Sequence, residues 1–388
     1  MYGKLLAGLA MSVAVFAANP SWSQTQGVTD KEIIIGTHQP LSGPVAAWGT
    51  QVTNGMRMRA DEANAAGGVQ GRQIKMVVED NQYVQARAAQ VGSKLLKSDR
   101  VFALVGALGT PPNLVVMDEA FERNVPNLFP FSPATSMYEP FHKLKFSFLA
   151  PYYPQMRQGV EYFVKTKGKS KVCTMYQDND FGQEVQKGVA DQLKAMNLPI
   201  VATSAHKADD KDFTAAVVKM REAGCDLVVL GTIVQDTVIP VVTARKMGWN
   251  VDFLVNVAGY TNETIAAAQG GTEGLYSMTQ IQAPYDDSPL PAVKDWLARY
   301  KAKNNADGTI QAMAGYIAMD IFLMGVDKAG KSLTVESLVN GLEQVRYEDK
   351  FGGQPITFGP TKRLGTDKTY VSQVKGGKWV KISDFLGS

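Results

Sequence analysis

Apolar positions along the chain keep two alternating rhythms. Short unbroken runs, Glu32 to Gly36, Gln73 to Val78, Val101 to Gly106 and Asn127 to Phe131, are separated by longer stretches at helical spacing, the first from about Trp48 to Ala66. Strands alternating with helices predict a parallel sheet covered on both faces. The rhythm pauses between Phe146 and Tyr153 and then restarts, with strands expected at Lys171 to Tyr176, Pro199 to Ser204, Asp226 to Gly231 and Phe253 to Val257. Helices are expected between them, at Gly182 to Met196, Asp212 to Ala223 and Asp236 to Met247. The fold class is therefore α/β, with two Rossmann-like lobes in succession.

After Gly274 the order changes. Helices are expected near Pro291 to Lys303, Gln311 to Met324 and Ser332 to Val345, followed by an extended, turn-rich tail from Gln354 to Ile382. So few helices after two complete units predict crossovers between lobes and no third domain. The crossovers are placed near Phe148 to Ala150, near Gln280 to Ala283, and after Phe351. Lobe 1 is then expected to comprise residues 24–149 with 281–355, and lobe 2 residues 150–280 with 356–388.

At the N-terminus Lys4 precedes an uncharged run from Leu5 to Ala18, too short for a lasting membrane anchor, and Ser21-Trp22-Ser23 offers small residues at a cleavage site. This predicts a leader over residues 1–23, export to a periplasm and a mature chain beginning at Gln24. The absence of a cysteine there argues against a lipid anchor. No later uninterrupted apolar run of spanning length is expected.

Forty basic and 37 acidic residues nearly balance without a basic block, which argues against nucleic acid as a partner. The two cysteines, Cys173 and Cys225, both fall on expected strands. A bridge is possible in an oxidising compartment, but two buried free thiols are the favoured expectation, since neither cysteine sits in a loop that needs stapling.

Gly325-Val326-Asp327-Lys328-Ala329-Gly330-Lys331-Ser332 fits the phosphate-loop pattern letter for letter. A phosphate loop must follow a strand, whereas the preceding apolar residues Met313, Tyr316, Ile317, Ile321 and Met324 are spaced as a helix. Gly330 then reads as a helix C-cap and Ser332 as the next N-cap. His38, His142 and His206 are isolated, so no metal-ligand spacing is present, and neither G-x-S-x-G nor His-Glu-x-x-His occurs. No catalytic residue, metal or cofactor is expected. The histidines read as surface or hinge residues, with His38 also near enough to a strand's end to line a cleft.

The loop Gly106 to Asn113 ends a strand and opens a helix, where ligands gather in open parallel sheets. Thr110 is placed either to cap that helix or to touch a ligand. Pro111 and Pro112 remove two free N–H donors, so a bound anion would rely on Thr110 and on donors from the Ser132 to Ser136 loop.

Several segments together resemble the Leu/Ile/Val-binding-protein family of periplasmic receptors, the type I solute-binding fold. These are Pro40-Leu41-Ser42-Gly43-Pro44 with Trp48-Gly49, Asn64 to Val69 with Gly71-Arg72, Val78-Glu79-Asp80-Asn81, Asn179-Asp180-Phe181-Gly182, Asp212-Phe213-Thr214 and Gly224 to Val228. The resemblance implies two lobes joined by three crossovers, closing over a small molecule that is delivered to the membrane permease of an ABC importer. It implies no catalysis, and a monomer is expected.

Matched position by position, the resemblance places Trp48, Thr110, Phe131, Ser132, Thr135, Phe181, Ile233 and Val257 around the ligand, and Tyr260 is expected in the same cleft, with Tyr152 and Tyr153 at the hinge. In amino-acid-binding members a serine or threonine at the place of Thr110 grips the carboxylate, and an acidic residue near the place of Val257 neutralises the ammonium. Here that place is apolar, with Glu263 and Asp236 the nearest substitutes. An unpaired ammonium in a closed cleft is costly. The expected cargo is therefore a hydrophobic or aromatic carboxylate of the benzoate, phenylpropenoate or aryl-keto-acid kind. A branched-chain or other amino acid is the alternative, and some of these aromatics are expected to be plain core.

Overall fold

The computed structural model describes residues 25–266 and 270–387, so the expected leader lies outside the described residues. The first lobe is built on β1 (Glu32–Gln39), α1 (Ala46–Ala65), β2 (Gln73–Asp80), α2 (Gln85–Lys97), β3 (Ala103–Val105), α3 (Thr110–Glu122), β4 (Asn127–Leu128) and β5 (Lys145–Phe146). Its strands are all parallel, in the order β2-β1-β3-β4-β5.

The second lobe follows with α4 (Tyr152–Lys167), β6 (Val172–Gln177), α5 (Asp180–Ala195), β7 (Ile200–His206), α6 (Thr214–Glu222), β8 (Leu227–Gly231), α7 (Gln235–Lys246), β9 (Asp252–Val255), α8 (Asn262–Ala266) and β10 (Tyr276–Thr279). The chain then returns to the first lobe with α9 (Pro291–Asn304), α10 (Ile310–Ala329), α11 (Val335–Glu343), β11 (Arg346–Tyr347) and β12 (Ile356–Thr357). It ends back in the second sheet as β13 (Tyr370–Lys375) and β14 (Lys378–Lys381), giving the order β14-β13-β10-β9-β8-β6-β7 with an antiparallel edge.

Three chain passages lie together between the lobes. The buried Gln280 side chain ties two of them, accepting from Ala150 N–H and donating to Phe148 O at 2.9 Å. The third is held by Ser147, which donates its N–H to Arg363 O at 2.9 Å and accepts from Gly365 N–H at 2.7 Å. Residues 356–365 thus stay with the first lobe, where Phe358 packs on Phe129 and Phe146, and the last handover falls about ten residues beyond the expected boundary at 355. The cause is local. Ile356 pairs with Tyr347 in a short hairpin, and the apolar Phe358 is drawn into the first lobe's core.

Two further expectations are corrected. Cys173 and Cys225 form a disulfide, with Cα atoms 5.9 Å apart. The strands β6 and β8 are neighbours, although β7 separates them in sequence, so the two cysteines meet at the same end of the sheet. The N-cap of α11 is Thr334, not Ser332; Thr334 and Ser337 form a reciprocal capping box, while Gly330 ends α10 at φ 75°. The helix α10, whose apolar run is broken by Asp320, is by length and composition able to cross a membrane, yet 83% of its most apolar stretch is buried inside the protein. It lies tightly on α1: a Cβ on Gly55 would come within 1.8 Å of Ala312 O, and one on Gly315 within 2.3 Å of Val52 O. Glycine at these positions brings the two helices close enough for α10 to reach the cleft.

Candidate functional site

The carboxyl ends of the strands in both lobes face one another across a cleft of about 570 Å³, its mouth included. From the first lobe come Val45 and Trp48 at the start of α1, Leu108, Gly109 and Thr110 at the turn into α3, and Phe131 and Pro133 after β4. From the second come Phe181 on α5, Ile233 after β8, and Val257 and Ala258 in the short turn after β9. Leu149, Tyr152 and Ile281 close the hinge side, and Ile310 and Ala314 of α10 close the other. None of these lining residues is an acid, a lysine, an arginine or a histidine.

Of the residues expected around a ligand, Trp48, Thr110, Phe131, Phe181, Ile233 and Val257 line this space. Thr110 is not the cap of α3. The N-cap is Gly109, at φ 103°, and Thr110 is the helix's first residue, its hydroxyl 2.7 Å from that of buried Ser132. Ser132 thus stands behind Thr110. Thr135 lies at the lobe interface, its N–H and hydroxyl both donating to the Glu184 carboxylate at 2.9 and 2.8 Å. Burial raises the Glu184 pKa above the ordinary glutamate value despite those bonds and one from the Tyr153 N–H.

Two expected residues sit elsewhere. Tyr153 points to the outer face of α4, donating to Asp191 at 2.9 Å, with Lys187 over its ring. Tyr260 is core: its ring packs 4.8 Å from Trp379 and its hydroxyl accepts from Ala283 N–H. The preceding residue of the Tyr152-Tyr153 pair is the one that enters the cleft, because α4 begins at Tyr152 and turns the next side chain away. Tyr83, Ile310 and Ala314 were missed altogether.

The two candidate ammonium partners are engaged. Asp236 is buried one layer behind Ile233, accepting from Gln177 at 2.7 Å and from the Ile233 N–H at 2.9 Å, with His206 Nε2 at 3.1 Å. Glu263 accepts from Gln311 across the lobes at 2.7 Å. His206 is thus buried and not at the surface. His38 is buried as well, beside Asn81, and burial pulls its pKa to about 4, so it is neutral at neutral pH and does not line the cleft. His142 stacks on Phe121 at 4.1 Å.

The cleft is closed in this structure. Trp48 Nε1 donates across it to Ala258 O at 2.9 Å, and the Thr135–Glu184 and Gln311–Glu263 pairs join the lobes on either side.

Comparison with known proteins agrees with this architecture. The chain is 23% identical to the leucine-, isoleucine-, valine-, threonine- and alanine-binding protein of Pseudomonas aeruginosa, over 92% of this chain and 90% of that protein. Among solved structures it superposes on a fatty acid ABC transporter substrate-binding protein from Thermomonospora curvata with a TM-score of 0.85, at 24% identity over 94% of this chain and 95% of that one. A solute-binding protein from R. palustris in complex with benzoate gives a TM-score of 0.78 at 17% identity, over 90% of this chain and 95% of that one. With the profile of the periplasmic binding protein family matching residues 32–378, this chain belongs to that family, in its Leu/Ile/Val-binding group, whose members are solute-binding receptors of ABC importers and not enzymes.

Proposed function

We propose that the cleft captures a small molecule with a hydrophobic body, aromatic or aliphatic, and a carboxylate head, and presents it in the periplasm to the permease of an ABC importer. One observation carries this reading: the cleft wall is apolar, carries hydroxyls, and contains no charged side chain. Rings at Trp48, Phe131 and Phe181 suit a flat or extended apolar body, and hydroxyls such as that of Thr110 suit an acceptor head. The fatty acid and benzoate named for two structural neighbours are of this chemical type.

A free amino acid, the cargo named for the Pseudomonas relative, fits less well. Its ammonium would need a carboxylate, and Asp236 and Glu263 are held by protein donors. Export through the leader and action as a monomer belong to the same proposal.

The reading is tested by thermal shift of the protein against benzoate, cinnamate, octanoate, leucine and isoleucine side by side. A rise in melting temperature with the acids that lack an amine is expected. Stabilisation by leucine or isoleucine alone would overturn the reading.

A further inference from the structure

Two phenol hydroxyls in the cleft, one from each lobe, have no hydrogen-bond partner among the described residues: Tyr83 and Tyr152. Tyrosine hydroxyls in an apolar setting ordinarily find a partner, and neither of these is among the fully enclosed unpartnered polar atoms, so both are open to the cleft. Both rings are fixed. Tyr152 donates its N–H to Pro133 O at 2.7 Å, and its ring meets Phe181 edge-on at 4.9 Å. Tyr83 is presented by an unusual turn, in which Gln82 and Tyr83 in succession adopt left-handed backbone, at φ 54° and 59°. Such backbone is uncommon for residues of this kind and persists where the surroundings over-determine it. Here Asp80 Oδ1 accepts from Gln82 N–H at 2.9 Å and Asn81 Oδ1 from Tyr83 N–H at 2.8 Å. Gly109 leaves the room, since a Cβ there would approach the Tyr83 ring to 2.8 Å. The turn thus holds a strained conformation whose outcome is one phenol in the cleft.

We propose that Tyr83 and Tyr152 form a clamp across the two lobes, each phenol donating a hydrogen bond to an acceptor oxygen, carboxylate or carbonyl, of the bound molecule. This rests on the cleft being the ligand site. Burial, then the charges of Asp236 and Asp180, raise the Tyr83 pKa far above neutrality, so the hydroxyl keeps its proton and remains a donor. A molecule held by both phenols touches both lobes, and that contact is what favours closure. The clamp makes Tyr83 and Tyr152 selectivity residues for the polar end of the cargo.

The test uses the parent protein, Tyr83→Phe, Tyr152→Phe and the double variant, titrated calorimetrically with benzoate, octanoate and isoleucine and melted without ligand. Each single variant is expected to bind the carboxylate that the parent binds about tenfold more weakly, as for loss of one hydrogen bond to a charged group, and the double variant more weakly still. Ligand-free melting is expected to be unchanged or slightly higher, because the hydroxyl removed has no protein partner. If the parent binds isoleucine and neither acid, the cargo reading fails, and the clamp is judged on isoleucine, whose carboxylate offers the same acceptor. In either case equal affinity of parent and double variant overturns the clamp. So does a drop of several degrees in the ligand-free melts of both single variants, which would show that the hydroxyls hold the fold; unchanged melts support the clamp even where no probe binds.

Discussion

On the first-lobe wall of the cleft, Thr110, backed by Ser132, and Tyr83 bring hydroxyls to the surface, whereas the second-lobe wall offers Phe181, Ile233 and Val257. The second lobe does not lack charge. Asp236 lies directly behind Ile233, but Gln177, the Ile233 N–H and His206 occupy it. The polar end of a cargo is therefore sought by the first-lobe wall together with the Tyr152 phenol at the hinge, and its apolar body by Phe181, Ile233 and Val257, with the carboxylate that could pair with an amine kept one layer back. The depth of a single side chain, Ile233, separates a wall suited to an amine from one that is not.

The largest effect is expected from reversing that arrangement. Ile233→Asp puts a carboxylate on the apolar wall, beside Asp236 and opposite the hydroxyls. Benzoate should bind at least about a hundredfold more weakly, since a desolvated like charge costs several kcal/mol. Ile233→Leu, which keeps volume and polarity, should change affinity little. Titration calorimetry on both variants decides the matter. If Ile233→Asp bound benzoate like the parent, the second-lobe wall would not be in contact with the cargo.

On the opposite wall the corresponding change is smaller. Thr110→Val keeps the shape of the side chain, removes one hydroxyl and leaves that of Ser132 without its 2.7 Å partner. A loss of about 1–2 kcal/mol in both folding stability and benzoate affinity is expected, because an unsatisfied buried hydroxyl is added to a lost ligand bond. Urea unfolding and calorimetry read the two separately. A loss of stability with unchanged affinity would make the Thr110–Ser132 pair a structural contact only.

The two walls were also unequally legible in the sequence. Trp48, Thr110, Phe131, Phe181, Ile233 and Val257 follow strand ends or open helices, and strand ends can be read from hydrophobic period, so their arrival at the cleft follows from topology. Tyr83 follows a strand end too, but its entry depends on two successive left-handed residues held by Asp80 and Asn81, and the short polar stretch has no period to read. Ile310 and Ala314 belong to a helix that is apolar almost all round, so nothing in the pattern marks the face that meets the cleft; the close contact at Gly55 and Gly315 decides it. The disulfide was hidden for a similar reason: it joins β6 to the turn that enters β8, a strand adjacent to β6 in space but not in sequence. β5 and β12, at two residues each, are too short for a periodic signal.

The smallest effect tests what holds the walls together. Glu184 of the second lobe accepts from the N–H and hydroxyl of Thr135 of the first, yet burial wins and raises its carboxyl pKa. A carboxyl whose pKa is raised on folding binds its proton more tightly in the folded protein. Its contribution to stability is therefore fully present below the ordinary glutamate pKa and is lost as pH rises through the raised value. Glu184→Gln keeps the shape and cannot titrate. The parent's margin of stability over this variant, from urea unfolding at a series of pH values, should therefore shrink as pH rises from below the ordinary glutamate pKa through the raised one. A margin that grows with pH would mean that the bonds from Thr135 to the ionised carboxylate outweigh its desolvation. Closure would then be held by a charged contact, even though the cleft it closes carries no charge on its walls.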